Sequence, residues 1–520
     1  MDGEIHRFHA IIRILQESGR WLLVALLIFA PWAFGATQPW AISWVVAGMD
    51  ACAAMALGSV MVRTFASRRV SLGGVPWVAA LLAVTIMLTG WSAAWNAQSY
   101  FDPHLLKFVT ATRWLRFWPS SVDAQATKAA MERLSALLLV VLVSAHAAQS
   151  PTWRRRLLMT IASTGISIAF FGLAQKTTHA PLLFWNAGNY GETVFATYRY
   201  HANAGAYLNC VWPICGALAM DAFARRGTRI QRAVWLPCTF IVLAGVALNV
   251  SKGAHLVAVL LLAGLLLAAA ISCFEMKGSL QWSKVLGGAL VTAAIVGTAI
   301  VIGFQPVASR WTEFFRRDPG SEGRIWMAHA CMDMIRDRPW CGFGPGTFAL
   351  VFPFYSRPYG DSLSGVWRYA HSDYLQMLVD WGALGCAPWA VLIGGGLIRT
   401  LRRVSRRGGE SDGSPEEGSG GDHWDGQRER SADGQSTTSA AIMFQGTTRE
   451  RGGTERARGS RPMDLAVVLS LCGLLIHAAF DFPLQIASIQ LYFAVLLGCA
   501  WREKARRKIA RGSKAAEVAC

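Results

Sequence analysis

The sequence contains no C-x-x-C pair, no H-E-x-x-H and no G-x-x-x-x-G-K-[ST] loop, and the stretches that read as outer loops hold no Asp-x-Asp. These absences remove the zinc-hydrolase, P-loop and metal-plus-nucleotide-sugar chemistries, each of which needs its residues at that spacing. Any reaction here is expected to run with no cofactor, no bound metal and no ATP. Charge is also scarce: 16% of residues are Asp, Glu, Lys or Arg, and 32 acidic residues stand against 50 basic ones. A net charge of +18 would suit a polyanion, but the basic residues sit in short clusters between apolar blocks, so no nucleic-acid partner is expected. Most of the eleven cysteines, among them Cys52, Cys210, Cys238 and Cys499, fall inside apolar blocks as small packing residues. Cys331 and Cys341 share one long loop, where a disulfide needs an oxidising compartment; spacing alone leaves it open.

What is present is apolar length. Hydrophobic residues make up 53% of the chain, in blocks close to the roughly 20 residues that span a hydrocarbon core. They run over 21–37, 40–62, 75–95, 134–149, 157–176, 203–224, 233–250, 254–273, 285–304, 379–400, 464–481 and 486–501. Lipid offers backbone groups no water to bond, so segments of this length cross as helices. The expected fold class is all-α: a polytopic helical membrane protein of about twelve transmembrane helices. The first apolar block follows a charged segment of mixed sign, and an uncleaved first helix is expected.

Arg63, Arg68 and Arg69, then Arg154, Arg155 and Arg156, then Arg225, Arg226, Arg229 and Arg232, fall on alternate connections, as does the basic tail from Arg502. Basic clusters mark the cytoplasmic side, so both termini are expected there. The organisation that follows is a transmembrane region over 1–304 (about nine helices) with outer loops at 96–133 and 177–202, then a large outer loop over 305–378. A transmembrane helix over 379–401, two more over 464–501 and a basic cytoplasmic tail over 502–520 complete it. Residues 402–463 are rich in Gly, Ser, Glu, Asp and Arg and poor in large apolar residues, and read as a disordered cytoplasmic insert.

The chemistry-bearing residues concentrate in the large outer loop. Asp318-Pro319-Gly320-Ser321 signals a turn, with Ser321 as N-cap of a helix that ends before Pro339. Met327, Cys331, Met334 and Ile335 form one face of it, and Arg324 lies in its first turn. A guanidinium there suits a phosphate; read alone, it is a solvated arginine at a loop edge. Gly342, Gly344 and Gly346 read as a tight turn packed by Trp340 and Phe343, with a phosphate-binding loop as the alternative. His371 precedes Ser372, a plausible N-cap, at the membrane surface. A neutral imidazole there accepts a proton from a sugar hydroxyl, while a lone histidine is more often a structural one. Arg199, between Tyr198 and Tyr200, either snorkels among headgroups or binds an anion. His477 and Asp481 lie four apart, a spacing that puts both on one helix face, and a buried pair of this kind needs mutual satisfaction.

Read in order, Gly323-Arg324-Ile325-Trp326, Asp337-Arg338-Pro339, Gly342-Phe343-Gly344-Pro345-Gly346-Thr347-Phe348, Ala370-His371-Ser372-Asp373-Tyr374-Leu375-Gln376 and Gly382-Ala383-Leu384-Gly385 resemble the signature of the O-antigen ligase and polymerase superfamily. Weaker likenesses extend to Pro31-Trp32-Ala33-Phe34-Gly35, Asn203 with Ala206-Tyr207-Leu208, Ser251-Lys252-Gly253, and His477 with Asp481-Phe482-Pro483. The resemblance implies an all-helical (GT-C type) membrane glycosyltransferase of the bacterial inner membrane, working on the periplasmic face. Its implied partners are an undecaprenyl-diphosphate-linked glycan, a lipid A-core or other glycan acceptor, and membrane lipid. On that likeness Arg324 and Arg199 bind the diphosphate, Arg324 and His371 are catalytic, and Asp373, His477 and Asp481 support them. Serine at 372 departs from the asparagine that the family more often has there, yet keeps the N-cap. A ligase is the first reading, with a polysaccharide polymerase or protein O-oligosaccharyltransferase as alternatives within the fold. A secondary transporter for an anionic solute is the alternative from another class; it would call for internal hydropathy repeats and mid-membrane charges.

Overall fold

The computed structural model describes residues 2–67, 74–178, 194–224, 229–275, 319–363, 365–409 and 460–503. The apolar block at 285–304, residues 305–318 of the large outer loop, 179–193 of the 177–202 loop, 410–459 of the insert and 504–520 of the tail lie outside the described residues.

Helices follow the apolar blocks: α1 (Asp2–Trp32), α2 (Pro39–Ser67), α3 (Trp77–Trp95), α4 (Ala124–Ala147), α5 (Pro151–Thr177), α6 (His201–Ala224), α7 (Arg229–Leu248) and α8 (Lys252–Glu275). Then come α9 (Pro319–Asp337), α10 (Phe348–Ser356), α11 (Asp373–Gly409), α12 (Ser460–His477) and α13 (Ala487–Trp501). Pro39–Ala66, Trp77–Trp95, Ala124–Ala147, Pro151–Thr177, His201–Phe223 and Asp373–Ser405 are long and apolar enough to cross a membrane, and Val234–Leu248, Lys252–Leu265 and Ala487–Trp501 are shorter apolar helices. This is an all-α polytopic membrane protein. The remaining described blocks fall on α1, whose apolar part begins only at Trp21, and on α12, which carries Arg461 and Asp464 near its start. A small antiparallel hairpin, Ser99–Asp102 against Lys107–Thr110, interrupts the helical pattern between α3 and α4. α4 begins ten residues ahead of its apolar block, with the Asp123 carboxylate accepting from the Ala126 N–H at 2.7 Å.

Several polar groups buried among the apolar helices are paired, which offsets their desolvation. The hydroxyls of Tyr207 (α6) and Tyr492 (α13) lie 3.3 Å apart, and Tyr492 donates to the Leu27 carbonyl of α1 at 2.8 Å. Near the start of α12, Asp464 receives Arg154 at 3.3 Å and Arg502 at 2.7 Å. That anchor fixes one end of α12; the other, about 20 Å along the helix, presents His477.

The segment from α9 to α11 has its own hydrophobic core. Met327, Ala330, Cys331 and Met334 of α9 pack with Phe343, Phe348, Phe352 and Val379. The expected face is therefore buried, with Ile335 at its margin. The start of α9 differs from expectation: the helix begins at Pro319, so Ser321 lies inside it and is not its N-cap, and Arg324 falls in the second turn. Proline is well suited to a first helical position, where its missing N–H is not needed. Cys331 and Cys341 are both free thiols.

The glycine run is a turn docked on α11. Gly342, Gly344 and Gly346 have φ of +65°, +107° and +79°, a region open to glycine. A Cβ at Gly342 would lie 2.5 Å from the Val379 carbonyl oxygen. Phe343 and Gly344 donate their N–H groups to the carbonyls of Val379 and Asp380, both at 2.9 Å. The Asp380 carboxylate takes the N–H groups of Gly346 and Phe348, both at 3.1 Å. These donors are committed to α11, so the turn reading holds over the phosphate loop. Asp380→Ala strands the buried Phe348 N–H, at an expected cost of about 1–3 kcal/mol, and frees the part-buried Gly346 N–H at a smaller one. Thermal unfolding in detergent should show a clear drop in Tm; an unchanged Tm would remove Asp380 from this role.

Candidate active site

His371, Ser372 and Asp373 form the entry to α11. Ser372 caps the helix, its hydroxyl accepting from the Leu375 N–H at 3.4 Å. Asp373 fastens that entry to the loop between α12 and α13. Its N–H donates to the Ala478 and Asp481 carbonyls at 2.9 and 3.2 Å, and its carboxylate accepts from Leu484 N–H and Gln485 Nε2, both at 2.9 Å. His371, just outside the helix, has φ +49°, an uncommon conformation for a residue with a Cβ and one held only where the surroundings enforce it. The enforcement is visible in its packing. The imidazole meets Phe482 edge-on at 4.8 Å and Trp367 at 5.5 Å.

Its Nδ1 lies 3.5 Å from Oδ1 of Asp481. Asp481 is past the end of α12 rather than on it, with its N–H bonded to the His477 carbonyl at 3.1 Å. The expected His477–Asp481 neighbourhood thus survives through a helix end instead of a shared helix face. His477 is fully buried and tilts against Phe480 at 5.3 Å. The other carboxylate oxygen of Asp481 accepts from the Tyr200 hydroxyl at 3.1 Å, and the Tyr200 oxygen accepts from Nη2 of Arg324 at 3.3 Å. Burial opposes the Asp481 charge, but the contact with His371 and the charges of His477 and Arg324 outweigh it and hold the carboxyl below its usual range. Burial, then the neighbouring Asp481 charge, pushes the Tyr200 phenol far above its ordinary value. The hydroxyl therefore stays protonated and donates to the carboxylate.

The result is a continuous polar series, Arg324–Tyr200–Asp481–His371, drawn from α9, the entry to α6, the α12–α13 loop and the entry to α11. Its floor is aromatic: Tyr200 stacks on Phe482 at 5.5 Å with planes 3° apart, and Tyr369 stacks on the same ring at 4.7 Å. Two glycines of the weaker motifs admit neighbouring aromatic rings: a Cβ at Gly253 would meet the Phe480 ring at 2.4 Å, and one at Gly35, with φ +64°, would meet the Tyr198 ring at 2.6 Å.

The structure thus brings together Arg324, His371, Asp481 and, as a fastening, Asp373. Arg199 is exposed one residue before Tyr200, and it is Tyr200 that touches Arg324. Sequence reasoning treated Tyr200 only as a flank of Arg199, and missed Tyr369 and Asp380. The signal that could have marked Tyr200 is its place between an arginine and a helix start, where a buried phenol needs a partner. As a chemical arrangement, the site offers a guanidinium accessible to an anion beside an imidazole whose Nδ1 faces a carboxylate.

Residues 237–390 match the family model described as O-antigen ligase. The match takes in Arg324, the glycine turn and His371, and leaves Arg199, His477 and Asp481 outside it. No curated protein matches the chain.

Proposed function

We propose that this chain, a member of the O-antigen ligase superfamily through residues 237–390, transfers a glycan from undecaprenyl diphosphate to a hydroxyl of a lipid A-core acceptor on the periplasmic face of the bacterial inner membrane. The observation that carries the reading is the series Arg324–Tyr200–Asp481–His371, which links an anion-binding group to a proton acceptor.

In this reaction the bond from the anomeric carbon to the diphosphate breaks, and a bond from that carbon to the acceptor oxygen forms. The electron pair leaves with the lipid diphosphate, and the acceptor's proton passes to His371. Arg324, with Arg199 on the adjoining segment, meets the charge that collects on the leaving diphosphate; fixed donors aimed at developing charge lower a barrier without rearranging during the reaction. Asp481 orients the imidazole through Nδ1, which leaves Nε2 for the acceptor hydroxyl. Asp373 and His477 hold the loop that carries Asp481. The reading gives charge neutralisation to arginines and assigns no metal.

Purified protein in nanodiscs, supplied with a defined undecaprenyl-diphosphate glycan and three acceptors in turn (lipid A-core, a second lipid-linked glycan, a serine-containing protein), tests it. Transfer to lipid A-core with release of undecaprenyl diphosphate is the expected result. Transfer only to lipid-linked glycan or only to protein would replace the ligase with a polymerase or an oligosaccharyltransferase. Release with none of the three would sink the transferase reading.

A further inference from the structure

Between α3 and α4 the chain leaves an apolar surface uncovered. Leu105 and Leu106 form the tip of the hairpin, and Trp114, Leu115, Phe117 and Trp118 follow it, all six exposed and Phe117 completely so. These side chains are held in place by bonds within the segment. The Asp102 carboxylate accepts from the N–H groups of His104 at 2.8 Å and Leu105 at 3.2 Å, and Phe101 and Phe108 meet across the strands at 5.4 Å. Asn96, just past α3, donates to the carbonyls of Leu115, Trp118 and Pro119 and accepts from the Leu115 N–H. Hairpin tips are usually built from small polar residues. Here Leu106 holds φ +48°, uncommon for a residue with a Cβ, and exposes 78% of its surface. A leucine at such a point gains only where something apolar meets it.

The neighbouring helix indicates what that is. Leu81, Val84, Leu88 and Trp95 are exposed along one face of α3, while Ala83, Ile86 and Gly90 are buried on the opposite face. α3 is long and apolar enough to cross a membrane, so the exposed stripe is its lipid face. Trp95 ends the stripe with 77% of its surface exposed, in the position where tryptophan favours the headgroup boundary. Asn96 ties the Leu115–Trp118 turn to that same end, so the uncovered surface begins where the lipid stripe stops. The charge of the segment agrees. Residues 99–118 hold Lys107, Arg113 and Arg116, all exposed, against a single acid, Asp102, whose carboxylate is engaged by backbone N–H groups. A two-fold contact between copies of this chain would bring the same three cations of each into one interface; a lipid surface bearing phosphates matches them.

We propose that residues 99–118 are a foot seated in the membrane leaflet on the side of the site. The leucine tip and the Trp114–Trp118 side chains enter the acyl boundary, and Lys107, Arg113 and Arg116 meet the headgroups of anionic phospholipids. The partner is the lipid surface, not a single bound lipid. The foot is also joined to the site: Gln98 at its base accepts from Arg338, just past α9, at 3.1 Å, and the Val122 N–H donates to the Phe343 carbonyl at 2.9 Å. It thereby fixes the height of the glycine turn, and of α11 on which that turn docks, against the membrane surface. Seating in the leaflet does not depend on which group the site transfers.

The test is photo-crosslinking of the full-length protein in vesicles of phosphatidylcholine and phosphatidylglycerol in equal amounts, with p-benzoylphenylalanine in place of Phe117 or of Leu105 and adducts identified by mass spectrometry. Both positions should give phospholipid adducts, with phosphatidylglycerol in excess. Arg113→Gln or Arg116→Gln should cut that excess by up to about fivefold, the scale of one basic residue at an anionic surface, whereas Arg116→Lys should keep most of it. Two crosslinking positions keep the test open if one variant fails to fold. Adducts joining two copies of the chain in place of lipid, or no adduct from folded protein at either position, overturn the foot. Adducts in the bulk lipid ratio, unchanged by Arg113→Gln and Arg116→Gln, overturn the headgroup contacts.

Discussion

Arg324→Ala is expected to lower glycan transfer by about 10²–10³-fold, the scale seen when one fixed donor to a developing negative charge is removed, while membrane insertion and yield stay at wild-type levels. The side chain is exposed and its hydrogen bond is a 3.3 Å contact to Tyr200, so little of the fold depends on it. The apolar face of α9, through Met327, Cys331 and Met334, is what holds that helix. Arg324→Lys separates charge from shape: an ammonium keeps the charge but loses the planar fork that grips two phosphate oxygens, and recovery should be partial. Transfer rates measured in nanodiscs at saturating donor decide it. Wild-type rates in Arg324→Ala would remove this residue from the chemistry, and a poorly inserted variant would show that its role is structural.

The helical framework was legible because apolar length is written locally: each block of near-membrane span reappears as a helix wherever the chain is described. Capping was partly legible. Ser372 caps α11 as expected, whereas Ser321 does not cap α9, because Asp318-Pro319 just ahead of it is the stronger start signal and the helix begins there. The glycine run announced a turn but not its purpose, since the groups it donates to, Val379 and Asp380, lie on the next transmembrane helix. The site shows the same division. Arg324, His371 and Asp481 stand out as residue types in unusual places, yet the Tyr200 hydroxyl that joins Arg324 to Asp481 spans sequence separations of 124 and 281 residues. No periodicity or motif spacing carries contacts of that range.

The contact between His371 and Asp481 leads to the second large effect. His371→Ala is expected to reduce transfer by about 10²–10⁴-fold, the range for removing a positioned proton acceptor. Asp481→Asn should give a smaller loss, on the order of 10²-fold. A carboxylate that fixes an imidazole's tautomer can matter by up to about 10⁴-fold, but at 3.5 Å from Nδ1 this one is longer than a good hydrogen bond. Asparagine gives up the charge and keeps one oxygen in place of the two that accept from the Tyr200 hydroxyl and the Phe482 N–H, so one of these two bonds is lost with it. If Asp481 acts through His371, the double variant should be no slower than His371→Ala alone, because residues that act as a unit are not additive. The KM for the lipid-linked donor should also stay near wild type in Asp481→Asn while kcat falls, a split that a merely structural residue would not produce. Losses that multiply in the double variant would mean that the carboxylate serves the site by another route, through Tyr200 and Arg324, and the imidazole would then stand without its orienting partner.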